Sequence, residues 1–160
     1  MGDETGDKWP DLSGRISEGR HRLPVRVYFE DTDFSGFVYH ASYFRWCERG
    51  RSDFLRLAGI FHHSLASGDA AGEPAAFAVR RIKADFLKPA HIDEILEVVT
   101  EAADLTKASI TLSQTILRGR QPIFKLEAQC VLVSLSGRLL RLPPDILSLI
   151  PDTRRENNSD

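Results

Sequence analysis

The hydrophobic positions of this chain follow two periods, one before residue 75 and one after it. Between His40 and Ala58, the residues Phe44, Cys47, Arg51, Phe54 or Leu55, and Ala58 fall three and four apart. That spacing predicts one long helix over 40–58 with a mainly apolar face, closed by Gly59. Ahead of it, Val25 to Phe29 alternates and carries β-branched and aromatic residues, which reads as a first strand. From Ala75 the period shortens to two. Phe77, Val79, Arg81 and Lys83 oppose Ala78, Arg80, Ile82 and Ala84 in a strand that runs to about Leu87 and is stopped by Pro89. Ile92 to Ala102 is the next strand. Ala108 to Leu117 comes after it, with Ile110, Leu112 and Ile116 on one side and Thr111, Ser113 and Thr115 on the other. Gly119 marks a hairpin turn, after which Phe124, Leu126, Ala128, Cys130 and Leu132 make one apolar face. Ser136-Gly137 is a further turn, Arg138 to Leu142 a short extension, and Pro143-Pro144-Asp145 opens a short helix to about Ile150. Residues 61–74 read as a small-residue loop. Residues 1–22 and 151–160 are polar and aperiodic and read as flexible tails around a domain spanning 23–150. Trp9 is the one residue of the first tail suited to docking elsewhere.

Strands in hairpin succession after a single long helix define an α+β chain with an antiparallel sheet of about five strands. The sheet has one face to cover and the helix is the only long element able to cover it, so the sheet is expected to wrap around the helix. Its opposite face and edges then call for a second subunit, and a homodimer or homotetramer is expected.

Composition narrows the function classes. The 160 residues are 42% hydrophobic and 28% charged with a formal net charge of −2, an ordinary soluble balance. That charge gives no reason to expect nucleic acid, and no apolar run approaches the roughly 18–20 residues of a membrane span. The first residues lack the basic-then-apolar layout of a signal peptide. The two cysteines, Cys47 and Cys130, sit in apolar patterns, as free core thiols of a cytoplasmic protein do.

The chemistry concentrates between the first strand and the helix. Glu30, Asp31 and Asp33 share a loop with the turn signal Ser35-Gly36, and the loop feeds a helix start near His40. Unpaired N–H groups of a first helical turn hold negative charge or polarise a carbonyl. The run YFEDTDFSGFVYHASYFRWCERGR, with the later stretch VRRIKADFLKPAHIDEILEV, resembles the 4-hydroxybenzoyl-CoA thioesterase family, which has the hot-dog fold. Within that family it is similar to the Tol-Pal system-associated acyl-CoA thioesterase branch. The resemblance covers about Leu23 to Ile150. One departure is Gly50, where the family usually has alanine; by helix propensity this costs up to about 1 kcal/mol.

The resemblance implies hydrolysis of an acyl-CoA thioester to a free acid and CoA, with the site between subunits, no metal, and no cofactor apart from the CoA of the substrate. It places the catalytic carboxylate on Asp33, as nucleophile or general base, and the carbonyl-polarising donor on the N–H of His40. Thioester hydrolysis needs both an activating group and an oxyanion donor, which is the same demand reached from the residues. Tyr28 is expected either to orient the site through its hydroxyl or to pack. The His40 side chain either moves protons or bonds locally. Asp31 and Glu30 read as solvent-facing loop residues, Asp31 with an arginine as a possible mate. Glu48, with Arg49, Arg51 and Asp53, reads as an ion-pairing helix residue, although some hot-dog enzymes place a catalytic carboxylate on this helix. Arg80, Arg81 and Lys83 are candidates for the phosphates of CoA. His62-His63 lacks supporting metal ligands. Two rivals remain: a dehydratase acting on acyl-carrier-protein substrates, and a non-catalytic acyl-thioester binder or scaffold. Acyl-carrier protein is also a candidate carrier for the thioesterase itself.

Overall fold

The computed structural model describes residues 11–156. Its strands are β1 (Arg15–Ser17), β2 (Arg20–Arg26), β3 (Ala75–Phe86), β4 (Ile95–Leu105), β5 (Ile110–Arg118), β6 (Gln121–Ser134) and β7 (Leu139–Leu140). Its helices are α1 (His40–Leu57), α2 (His62–Ser67), α3 (Pro144–Leu149) and α4 (Thr153–Glu156). The strands form one seven-stranded antiparallel sheet in the order β1-β2-β4-β5-β6-β3, with β7 beside β6. This is the expected α+β arrangement, with two more strands than the alternation revealed.

Strand alternation and burial agree on β5 and β6. Ile110, Leu112 and Ile116 are buried, as are Phe124, Leu126, Ala128, Cys130 and Leu132. The innermost face of α1 is turned slightly from the predicted one. Tyr43, Trp46, Cys47, Gly50 and Phe54 are buried, while Phe44 is only partly so. A Schellman turn closes the helix: the Gly59 N–H donates to the Arg56 carbonyl at 3.0 Å and the Ile60 N–H to that of Leu55 at 2.8 Å.

The buried apolar residues fall into two clusters along α1. Tyr43, Trp46 and Cys47 pack with Leu96, Val98, Ile116 and Phe124 at one end. Phe54 and Leu55 pack with Ala102, Ile110, Leu112, Leu132 and Ile146 at the other. A polar layer lies between them. The buried Gln114 amide donates to the Cys47 carbonyl at 2.8 Å and to Thr100 Oγ1 at 2.9 Å, and its oxygen accepts from Arg51 at 2.9 Å.

Gly50 sits where helix and sheet approach most closely. A Cβ there would meet Val98 Cγ1 at 2.9 Å and the Gln114 Nε2 and Thr100 Oγ1 atoms at 3.1 Å. The departure from alanine is therefore a packing requirement. Gly50→Ala gains up to about 1 kcal/mol of helix propensity but overpacks by about 1–3 kcal/mol. A net loss of up to about 2 kcal/mol is expected from urea unfolding, whereas a raised midpoint would mean that Val98 yields.

The edges differ from the sequence reading. The sheet begins at Arg15, so the stretch from there to residue 22 belongs to a hairpin and not to a tail; Trp9 lies outside the described residues. The strand leading into the acidic loop is β2, Arg20–Arg26, and not Val25–Phe29, because His21, Leu23 and Val25 are its inward positions. The imidazole of fully buried His21 meets Asp53 of α1 at 2.6 Å, which lets a polar residue occupy a core position. The 61–74 loop contains α2, whose Leu65 is buried in the second core cluster. In the expected C-terminal tail, Asp152 is buried and accepts from the Arg154 backbone N–H at 3.0 Å.

Candidate active site

After β2 the chain turns through a single 3-10 turn, Phe29–Asp31. Asp31 ties the loop together. Its carboxylate accepts the Tyr28 N–H at 2.9 Å, and its carbonyl accepts the Tyr39 N–H at 2.8 Å and the Ser42 hydroxyl at 3.3 Å. Asp31 is buried and has no arginine mate among the described residues, contrary to the sequence expectation; the Tyr28 and Tyr39 N–H groups and the Ser42 hydroxyl satisfy it and bind the loop to the helix start. Glu30 is exposed, as expected.

The loop tip is a tight turn across Asp33–Gly36, with the Gly36 N–H on the Asp33 carbonyl at 3.0 Å and the Asp33 N–H on the Phe37 carbonyl at 3.1 Å. Gly36 has φ +82°, a left-handed conformation that a Cβ strains. Within this turn Asp33 Oδ1 accepts both the Ser35 N–H at 2.8 Å and the Ser35 hydroxyl at 2.5 Å. The Ser35 oxygen in turn accepts the Phe37 N–H at 3.2 Å. The carboxylate is thus fixed by its own loop while exposed to solvent, with Oδ2 left uncommitted. The Ser35 bonds, the hydroxyl foremost, hold its pKa below the ordinary carboxylate value; His40 adds a smaller attraction, and partial desolvation opposes.

Helix α1 begins at His40, and its cap residue Tyr39 supplies no side-chain hydrogen bond. Among the described residues no acceptor meets the His40 N–H. The exposed His40 ring lies 4.4 Å from that of Tyr39 and lines a pocket of about 260 Å³ with Val38, Tyr43, Phe86, Lys88 and Pro89. The far wall is held in place by three contacts. The Val38 N–H donates to the Ala90 carbonyl at 2.9 Å, the Ala90 N–H to the Tyr43 hydroxyl at 3.1 Å, and the Phe37 and His91 rings stand 5.2 Å apart. Tyr43 stacks on Phe124 at 5.1 Å, which ties this wall to the core.

The structure therefore gathers Asp33, Ser35, the His40 amide, Tyr43 and Lys88 at one end of the helix. The sequence reading missed Ser35, Tyr43 and Lys88 as site residues. The Asp-x-Ser spacing, which favours a side chain folding back on its own turn, was the available signal for the first. Tyr28 is exposed and lines a separate pocket of about 880 Å³ with Arg26, Arg49, His62 and His63. Arg80, Arg81 and Lys83 are exposed on β3, Arg80 at a bulge and Lys83 opposite Glu127, and none lines the His40 pocket. Glu48 is exposed and lacks an ion pair among the described residues; Asp53 pairs instead with Arg56 and His21. No group of three or more His, Cys, Asp or Glu among the described residues is arranged for a metal ion. Both cysteines are free and buried, and burial pushes the Cys47 thiol up to about 12. Among the described residues no helix is long and apolar enough to cross a membrane.

This fold, with an acidic loop set before an open helix start, is that of a thioesterase: the thioesterase superfamily matches residues 35–124, more than half of the chain, and the chain belongs to that family. It is 38% identical to the acyl-CoA thioester hydrolase YbgC of Escherichia coli O157:H7 over 112 residues, covering 70% of this chain and 79% of that one. A probable thioesterase from Bartonella henselae superposes with a TM-score of 0.75 at 41% identity, covering 78% of this chain and 99% of that structure. The 4-hydroxybenzoyl-CoA thioesterase from Pseudomonas sp. strain CBS-3 shares the hot-dog fold, with a TM-score of 0.73 at 17% identity over 81% of this chain and 98% of that one.

Proposed function

We propose that the protein is an acyl-CoA thioesterase that hydrolyses an acyl-CoA to a free acid and CoA. The observation that carries this reading is the fixed, ionised Asp33 carboxylate in the loop that feeds an α1 N-terminus whose first N–H is unmet. The thioester carbonyl oxygen docks on the His40 N–H, where the helix dipole favours the negative charge of the tetrahedral intermediate. Asp33 either attacks the carbonyl carbon or takes a proton from the attacking water. In the first route CoA is expelled as the thiolate and a mixed anhydride is left. Water hydrolyses it to the free acid and the restored carboxylate, while the thiolate takes up the released proton. In the second route hydroxide adds to the carbon, the C–S bond breaks, and the departing thiolate recovers the proton from Asp33. Tyr43 holds the far wall through Ala90. Lys88 is the cation that lines the pocket and is assigned to the phosphates of CoA ahead of Arg80, Arg81 and Lys83. Tyr28 reaches this chemistry only if a second subunit brings its pocket to the loop.

A second copy of the chain is part of the reading. The 12-residue β3 forms the end of the sheet and leaves one edge unpaired, with Val79, Ile82 and Phe86 exposed. Phe29 and Phe34 of the loop are 82% and 109% exposed. Native proteins cover such edges and aromatic patches, and a homodimer joined there covers both. The cytoplasm is the assigned compartment, and a link to the Tol-Pal envelope system is carried by the sequence resemblance alone.

The test is thiol release from short, long and benzoyl-type acyl-CoAs and from the matching acyl-carrier-protein thioesters. Turnover of a CoA ester supports the reading; binding without turnover favours the scaffold. The Ser35 bonds add a pH signature. Because they depress the Asp33 pKa, the ionised form persists as pH falls below the ordinary carboxylate range, and activity is lost only on passing through the lowered value. Ser35→Ala is expected to move the acid limb of the kcat/KM profile to higher pH. An unmoved limb would assign it to another group.

A further inference from the structure

The polar layer in the middle of α1 contains a charge that the thioester chemistry at Asp33 does not use. Arg51 is 9% exposed, and its one side-chain hydrogen bond among the described residues runs from Nη1 to the neutral Gln114 oxygen at 2.9 Å. No carboxylate among the described residues lies within ion-pair distance of it. A guanidinium has five N–H donors, and a buried cation without an anion is costly unless something supplies the counter-charge. Gln114 cannot turn away, because both of its amide hydrogens are spent on Cys47 and Thr100. The cation is therefore held rigidly.

Arg51 lines a pocket of about 220 Å³ whose walls include Leu55, Phe77, Val79, Leu112 and Cys130. A cavity of about 150 Å³ admits benzene, so this one has room for a ring or a short chain with a polar end. Glu48, Ser52 and His62 complete the polar side of the lining, and Glu48 makes no ion pair with Arg51. The pocket opens between α1 and the β3 edge, the same edge that is assigned to the second subunit. Arg51 lies three turns, about 16 Å, along α1 from His40.

We infer that this pocket receives a compact apolar group ending in an anionic or hydrogen-bond-accepting oxygen, which pairs with Arg51. On the thioesterase reading, on which this assignment rests, that group is the distal end of the acyl chain, and Arg51 is a specificity residue for acyl groups with a terminal carboxylate. A charge-assisted bond to a buried guanidinium separates acid from neutral ligand by about tenfold to a hundredfold.

Two measurements test it on the full chain. Calorimetric titration compares benzoate with its neutral isostere benzamide, in wild type, Arg51→Met, Arg51→Lys and Val79→Phe, the last narrowing the pocket from its β3 wall while keeping the charge. Folding of each is read from its unfolding midpoint. Benzoate is expected to bind wild type at least tenfold more tightly than benzamide, to lose that margin in Arg51→Met, to recover part of it in Arg51→Lys, and to be weakened or excluded by Val79→Phe. Thioester kinetics then compare adipoyl-CoA with hexanoyl-CoA, and dodecanedioyl-CoA with dodecanoyl-CoA. A lower KM for the diacid of at least one pair, with kcat within a few-fold, is expected in wild type and absent from Arg51→Met. Equal binding of benzoate and benzamide, or benzoate binding indifferent to Arg51→Met, overturns the pocket. Equal KM values in both pairs overturn the substrate assignment. Arg51-dependent benzoate binding without hydrolysis of any acyl-CoA sinks the thioesterase reading and leaves the ligand class of the pocket standing.

Discussion

Asp33→Asn is expected to lower the kcat for the best acyl-CoA by about 10²–10⁴-fold, the range for losing one positioned proton-transfer group. The comparison is clean because of the turn that holds Asp33. An Asn side-chain oxygen still accepts the Ser35 N–H and hydroxyl that now bind Oδ1. The loop, and the thermal midpoint with it, should be unchanged. What disappears is the charge on the uncommitted oxygen, the atom proposed to attack or to take the proton. Single turnover in ¹⁸O-labelled water then tests the nucleophilic route, since label in Asp33 requires a mixed anhydride opened at the Asp33 carbonyl and a general base acquires none. A variant as active as the wild type would remove Asp33 from the mechanism and turn attention to Glu48.

Trp46→Ala should have the largest effect on stability. Trp46 is 1% exposed, sits in the core cluster at the His40 end of α1, and meets the Tyr43 ring edge-on at 5.5 Å. Truncating a buried Trp costs about 3–5 kcal/mol, a large share of the roughly 5–15 kcal/mol that holds a domain together. At about 2–4 °C per kcal/mol for a chain of this size, scanning calorimetry should show a fall of roughly 6–20 °C. The damage should reach the site as well. Tyr43 loses a packing neighbour, and its hydroxyl is what holds the Ala90 N–H and the far wall of the pocket. Activity measured well below the new midpoint should therefore fall too. A loss under about 1 kcal/mol would show that the neighbours of Trp46 collapse into the space it leaves.

The helix and the long strands were legible because their apolar positions repeat. The 40–58 reading differs from the observed α1 by one residue, and the strand faces of β5 and β6 are those that alternation predicts. The first hairpin was not legible. In Arg20-His21-Arg22 the inward residue is a histidine, acceptable only because Asp53 arrives from α1. Pro24 also reads against a strand, yet β1 pairs with β2 only as far as Arg22, so Pro24 lies where no neighbour asks for its missing N–H. In the site, the Asp-to-helix layout drew attention to Asp33, and the family motif sharpened it to a role. Asp31 was misplaced because its partners are backbone groups, which sequence does not distinguish from solvent. Lys88 lines the pocket at the helix start and Arg80, Arg81 and Lys83 do not; charge density along a strand does not tell which cation the chain carries past that point.

The polar layer also settles an ambiguity that the apolar pattern leaves open. Alternation fixes which face of a strand points inward, but only to within two residues, since a shift by two returns every side chain to the same face. In β4 and β5 such a shift would still set apolar residues against one another. It would place Gln114 opposite Val98 or Ala102 in place of its present partner, Thr100. The Gln114 amide would then lose its acceptor on Thr100 deep in the sheet, at a cost of about 1–3 kcal/mol for an unmet buried donor. The helix and sheet would also meet at Gly50 out of step. One glutamine, one threonine and one glycine thus act as a notch that admits a single sliding position of the hairpin, where the oily residues around them would accept several.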